Sequence, residues 1–164
     1  MSLGTALVLT ISDTAFAGGR EDLSGPEARR ILEDAGFEVI GVEVFADERT
    51  HIQNRLRLAC DREHLNIVVT TGGTGLSPRD VTPEATMRII DREVPGMAEV
   101  IRSEGLKSTP KAALTRGVVG VRASTLIVNL PGSVKGVRES LGALVPILGH
   151  AIQVIGGSSL NCGE

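Results

Sequence analysis

Asp80 lies within the most distinctive stretch of this chain, TTGGTGLSPRDVTPEAT from Thr70 to Thr86, in which three glycines and five threonines lie between a β-branched run and a helix start. A strand that enters Gly72-Gly73-Thr74-Gly75 and soon reaches a helix offers backbone N–H groups unshielded by Cβ atoms, threonine hydroxyls and the positive end of a helix dipole. That is the makeup of an anion cradle, and also of an ordinary turn. Neither common nucleotide loop is present. No Lys-Ser/Thr pair follows the glycines, and Gly73-Thr74-Gly75 runs on to Pro78 where a dinucleotide fingerprint needs glycine. Asp80 itself is either a carboxylate favoured by the helix dipole, worth about 0.3–1 kcal/mol, or a hard oxygen ligand for Mg²⁺ beside phosphate. Asp47, at the end of another strand candidate, favours the cation. Two carboxylates at neighbouring strand ends, facing a loop built for anions, make electrostatic sense only with a cation between them. The chemistry served is the approach of two phosphate groups, one attacking the other.

The elements that must position these residues are legible as runs and periods. Ala6–Ile11, Ile67–Thr70 and Thr125–Val128 are continuous, β-rich apolar runs that read as buried parallel strands, with Val39–Phe45 a weaker fourth. A first helix is expected from a Ser24/Glu27 capping box, with Ala28, Ile31, Leu32 and Ala35 on one face and Gly36 at its end. A second carries Ile52, Leu56, Ala59 and Cys60, and a third opens with Thr82 as N-cap and Pro83 in the first helical position. The last has Val134, Val137, Leu141, Leu144 and Leu148 on one stripe, with Pro146 a kink point near its end. Ala113–Arg122 reads as a short extra strand or hairpin. Strands alternating with helices give an α/β sandwich of three layers around a mostly parallel sheet. Ser12-Asp13, Ala46-Asp47-Glu48, the glycine loop and Asn129-Leu130-Pro131-Gly132-Ser133 all follow strands, so all four lie at the carboxyl edge, where such sheets bind ligands.

Composition narrows the partners. The length of 164 residues suits one domain, 1–164. A net charge of −3 and a pI near 5.7 lack the basic footprint that nucleic acid or an anionic membrane requires. Three Phe, no Tyr and no Trp leave nothing on which to stack single-stranded bases. The N-terminal run lacks a basic flank and is too short for a signal or a span, so a cytoplasmic protein is expected. Cys60 and Cys162 have no metal or disulfide spacing and read as buried filler and a tail thiol. His51, His64 and His150 read as surface residues, Arg79 as half of a surface ion pair, and Met97 as core or subunit contact.

TTGGTGLSPRDVTPEAT, together with LTISD (Leu9–Asp13), VPGM (Val94–Met97) and LIVNLPGS (Leu126–Ser133), resembles the molybdopterin adenylyltransferases of molybdenum-cofactor biosynthesis, the MogA/MoaB family with the gephyrin G domains. The resemblance runs in order along nearly the whole chain. It implies the fold of that family and a homo-oligomer, first of all a trimer. The implied activity is transfer of AMP from ATP to the molybdopterin phosphate, releasing pyrophosphate, with Mg²⁺ required and a further partner accepting the product for molybdate insertion. Carried onto matching positions, the catalytic and metal-holding aspartates are Asp47 and Asp80. Ser12, Asp13, Gly72, Gly73, Thr74 and Gly75 would hold the nucleotide; Thr115, Asn129, Pro131, Gly132 and Ser133 would face pterin or phosphate. The chain departs from its relatives at Ala46, usually proline, at Thr115, usually serine, and at Gly105, which is serine in plant and animal relatives. A non-catalytic molybdopterin carrier or trimeric scaffold is the alternative of another class. An ATP-dependent enzyme of this fold acting on a different acceptor is a third reading.

Overall fold

The computed structural model describes residues 1–157. The expected tail thiol, Cys162, therefore lies outside the described residues. Four strands, β1 (Gly4–Ile11), β2 (Phe37–Phe45), β3 (Ile67–Thr71) and β6 (Thr125–Leu130), run parallel, and β4 (Arg92–Glu93) and β5 (Val119–Arg122) extend the sheet antiparallel. The order is β2-β1-β3-β6-β5-β4. The helices are α1 (Asp13–Phe16), α2 (Ser24–Asp34), α3 (Arg49–Asp61), α4 (Thr82–Met87), α5 (Pro95–Leu106) and α6 (Val134–Ile155), with a 3-10 turn at Pro110–Leu114.

Burial on both faces explains why the central strands show no alternation. Val8, Val69 and Val128 point towards α2, α5 and α6, meeting Leu32, Ile101, Val137, Leu141 and Leu144. Leu7, Leu9, Val68 and Ile127 point the other way, towards Ile52, Leu56, Ala59 and Cys60 of α3 and Ala85 of α4. Each such side chain removed from water contributes about 1.5–3 kcal/mol. Strand β2 lies at the sheet edge, where Glu38 and Ile40 are exposed, which is the reason its sequence signal is weak. Met97 is buried in the first of these cores.

Neither expected cap is made by the expected side chain. The first turn of α2 is capped by the Asp22 carboxylate, which accepts from Gly25 N–H (3.0 Å), while Glu27 turns to Arg30 and Arg138. Thr82 is already helical, and its hydroxyl donates to the Gly72 carbonyl (3.1 Å) instead of capping α4. The 113–122 segment divides: Ala113 and Leu114 finish the 3-10 turn, and only β5 pairs, forming a hairpin with β6 through Ala123 at φ 50°. Helix α6 continues past Pro146 to Ile155 as one element.

Candidate functional site

The glycine loop bends over the end of the sheet because Gly72 and Gly73 take φ of 97° and 67°, a region that side chains strain to enter. A Cβ on Gly72 would run into the Ile11 carbonyl oxygen, so the loop crosses directly above the end of β1. A Cβ on Gly73 would clash with the Thr82 hydroxyl and stand 2.9 Å from Asp47 Oδ1. Among the described residues no hydrogen bond occupies the backbone N–H groups of Gly73, Thr74 or Gly75. Three adjacent free donors without bulky side chains make a concave anion seat.

Asp47 and Asp80 both reach this loop. A Cβ on Gly75 would lie 2.8 Å from Asp80 Oδ2, as Gly73 lies against Asp47. The two aspartates do not, however, follow neighbouring strands. Strand β1 separates β2 from β3, and the carboxylates converge only because the loop folds across β1. Asp80 Oδ2 accepts from Ser77 N–H (3.0 Å), which closes the loop on itself. Asp47 exchanges bonds with Asp13: each backbone N–H donates to the other's carboxylate, at 3.0 and 2.9 Å. The second oxygen of Asp47, Oδ1, is buried and has no hydrogen-bond partner among the described residues. Burial pushes its carboxyl above the usual range, with the nearby charges of Asp13 and Asp80 adding to the effect.

Asp13 is in the opposite condition. Arg79 grips both of its oxygens, at 2.9 and 3.0 Å, and this holds its carboxyl below the usual range. The same guanidinium reaches Glu48 (3.2 Å), so Arg79 is the exposed ion-pair partner expected from sequence, but of Asp13 and Glu48 rather than of Asp80.

Two hollows flank the loop. They share Gly72, Gly132 and Ser133, since a Cβ on Gly132 would touch Gly72 Cα at 3.2 Å. One, of about 460 Å³, is walled by the glycine loop, Asp80, Ile101, Leu114, Thr115 and Pro131, with Lys111 and Lys135 among its lining residues. The other, of about 310 Å³, is about half polar, with Thr10, Ser12, Arg20, Asp22 and Ser24 around it. Thr115 donates to the Thr74 hydroxyl (3.2 Å), Ser12 caps α1 by accepting from Ala15 N–H, and Ser133 caps α6 by accepting from Gly136 N–H. Gly105 lines the larger hollow, and any side chain there would meet Ala112 Cβ at 2.8 Å; its smallness lets α5 pack on the 3-10 turn.

One expected site residue faces elsewhere. Asn129 is 1% exposed, donating to the hydroxyls of Thr70 and Thr86 (both 3.0 Å) and accepting from Val118 N–H (3.2 Å). Its amide is used up inside the sheet-to-α4 contact, so it holds elements together instead of facing pterin or phosphate. Sequence reading missed Arg116, whose guanidinium meets Gly75 O (2.8 Å), Asp80 O (2.9 Å) and the Glu84 carboxylate. Partners 32 to 41 residues away leave no local signal.

Residues 7–150 match the family described as "Probable molybdopterin binding domain". A molybdopterin adenylyltransferase of Helicobacter pylori strain J99 is 40% identical, the match covering 96% of this chain and 90% of that protein. The molybdenum cofactor synthesis protein cinnamon of Drosophila melanogaster is 46% identical over 91% of this chain, which spans only 25% of that longer protein. The crystal structure of the molybdopterin biosynthesis enzyme MoaB from Thermus thermophilus superposes with a TM-score of 0.89 at 52% identity, covering 94% of this chain and 97% of that one.

Proposed function

The chain belongs to the molybdopterin-binding family, and from that premise we propose that it is a molybdopterin adenylyltransferase acting, as one domain over 1–164, on ATP and the phosphate of molybdopterin. The observation that carries the reading is the meeting of two carboxylates with three free backbone donors at one loop. A phosphate oxygen of molybdopterin attacks the α-phosphorus of ATP in line; the bond from that phosphorus to the bridging oxygen breaks, and pyrophosphate leaves with the electron pair. The attacking group needs no general base, since a phosphate monoester with a second pKa near about 6 is largely ionised at neutral pH. The N–H groups of Gly73, Thr74 and Gly75 are proposed to receive charge on the α-phosphate. The larger, mainly apolar hollow suits a heterocycle.

Mg²⁺ is proposed between Asp47 and Asp80. The buried, unpartnered Oδ1 of Asp47 fits a hard cation, because leaving it bare costs about 1–3 kcal/mol. Among the described residues no three acidic, His or Cys side chains gather at metal-binding range. That suits an ion that keeps most of its waters and takes one or two carboxylates. Bound there, Mg²⁺ supplies the positive charge that offsets repulsion between two phosphates. A cytoplasmic location is part of the proposal. Among the described residues no helix is long and apolar enough to cross a membrane.

The test is incubation with molybdopterin, ATP and Mg²⁺, read by mass for adenylylated molybdopterin and by pyrophosphate release. Product that needs all three supports the reading. Molybdopterin retained with no product would make the chain a carrier or scaffold, and pyrophosphate formed without molybdopterin would point to another acceptor.

A further inference from the structure

Arg116 leaves the 3-10 turn far in sequence from the glycine loop, yet its polar groups converge on that loop. Its backbone N–H donates to Thr74 O at 2.8 Å, Nε to Gly75 O at 2.8 Å and Nη2 to Asp80 O at 2.9 Å, while Nη1 pairs with Glu84 at the start of α4. These acceptors bracket the bend that carries Asp80. Within the bend, Asp80 N–H donates to Ser77 O (2.9 Å) and Ser77 N–H to Asp80 Oδ2 (3.0 Å). Those two bonds set the shape of the turn but not its place relative to Asp47. Thr82 anchors the far end, its N–H donating to Gly73 O (3.2 Å) and its hydroxyl to Gly72 O (3.1 Å), and Arg116 adds the tie that holds the Gly75 and Asp80 carbonyls to one rigid plane.

We infer that Arg116 is a positioning residue that holds Asp80 opposite Asp47 for Mg²⁺ and the nucleotide phosphates, an inference that rests on the adenylyltransferase reading above. It is no catalytic residue, since its guanidinium is committed to protein acceptors on Nε and on both terminal nitrogens. A lysine in its place presents all its donors from one nitrogen and lacks the planar fork that meets Gly75 O, Asp80 O and the Glu84 carboxylate from three separate nitrogens.

The experiment compares wild type, R116K and R116M, each checked for a cooperative thermal transition. Mn²⁺ serves as the metal probe, its binding followed by electron paramagnetic resonance with a non-hydrolysable ATP analogue and no turnover. Loss of a group that orients a metal ligand weakens metal binding or activity by about 10–100-fold, and at least tenfold is expected in both Mn²⁺ affinity and kcat. The KM for molybdopterin is expected to stay within about twofold, since Arg116 acts on the metal side. Folded variants that bind Mn²⁺ like wild type overturn the inference, whatever their turnover. If R116M does not fold, R116K alone decides. Wild-type protein that makes no adenylylated product overturns the adenylyltransferase reading; wild-type turnover with an unaltered R116K overturns only the role of Arg116.

Discussion

Asp13 and Asp47 clasp each other's backbone, yet their carboxyl groups are held in opposite electrostatic conditions. Arg79 satisfies Asp13, whereas Asp47 keeps one oxygen buried and unpartnered. A carboxyl whose folded pKa is raised binds its proton more tightly in the fold. Stability therefore falls as pH rises through the ordinary carboxylate range towards the folded value, and the cost is complete above it. Asp47→Asn removes that cost while keeping an acceptor for Asp13 N–H. We expect the metal-free variant to gain less than about 1 kcal/mol at pH 7, because solvent screens part of the charge, with the gain shrinking at pH 4, and to lose adenylyl transfer. Thermal melts at the two pH values check the sign; an Asn variant no more stable than wild type at pH 7 would mean that Asp47 is already compensated.

At the scale of elements, Glu27 joins α2 to α6. It accepts from Arg30 (3.0 Å) on its own helix and from Arg138 (2.7 Å) on the last, and these bonds bring its pKa down to about 2. The sign is the reverse of that for Asp47. The stabilisation is complete above the ordinary value of 4.5 and is lost as pH falls towards about 2. Glu27→Gln is therefore expected to melt lower than wild type at neutral pH and to converge with it below about pH 2. Equal melting curves at both ends of that range would count against the bridge.

Elements of this kind show what the sequence discloses. The central strands were legible because burial on both faces demands an unbroken apolar run, and Ile52, Leu56, Ala59 and Cys60 marked α3 by their period. The caps depart from the sequence pattern because Asp22, just outside it, takes the place of Ser24, and the Thr82 hydroxyl is drawn to Gly72 at the far end of the same β3–α4 loop. The glycine loop and the two aspartates were legible as types placed after strands. That β1 stands between their strands was not, because strand order leaves no mark on local sequence. The family resemblance puts Asn129 in the site, whereas the fold uses it to tie β6 to β3, to α4 and to Val118 just ahead of β5.

For the molecule as a whole, the trimer that the family resemblance implies, which we propose for this chain, needs apolar surface left over after folding. Helix α5 and the 3-10 turn, packed together at Gly105 and Ala112, leave Val100, Leu106 and Leu114 exposed. Light scattering at micromolar concentration is expected to give about three times the chain mass of 17.2 kDa. A mass of one chain would remove the trimer from the proposal without touching the carboxylate site.

Gly72 and Gly132 pack together and line both hollows, so the ridge between them carries no side chains of its own at that point. For inhibitor chemistry this is an opening: a double-headed compound, with an apolar ring at one end and a hydrogen-bonding group at the other, needs only a short tether to reach over it. Its second head then docks at high effective concentration, so two weak fragments joined across the ridge gain avidity without either being improved.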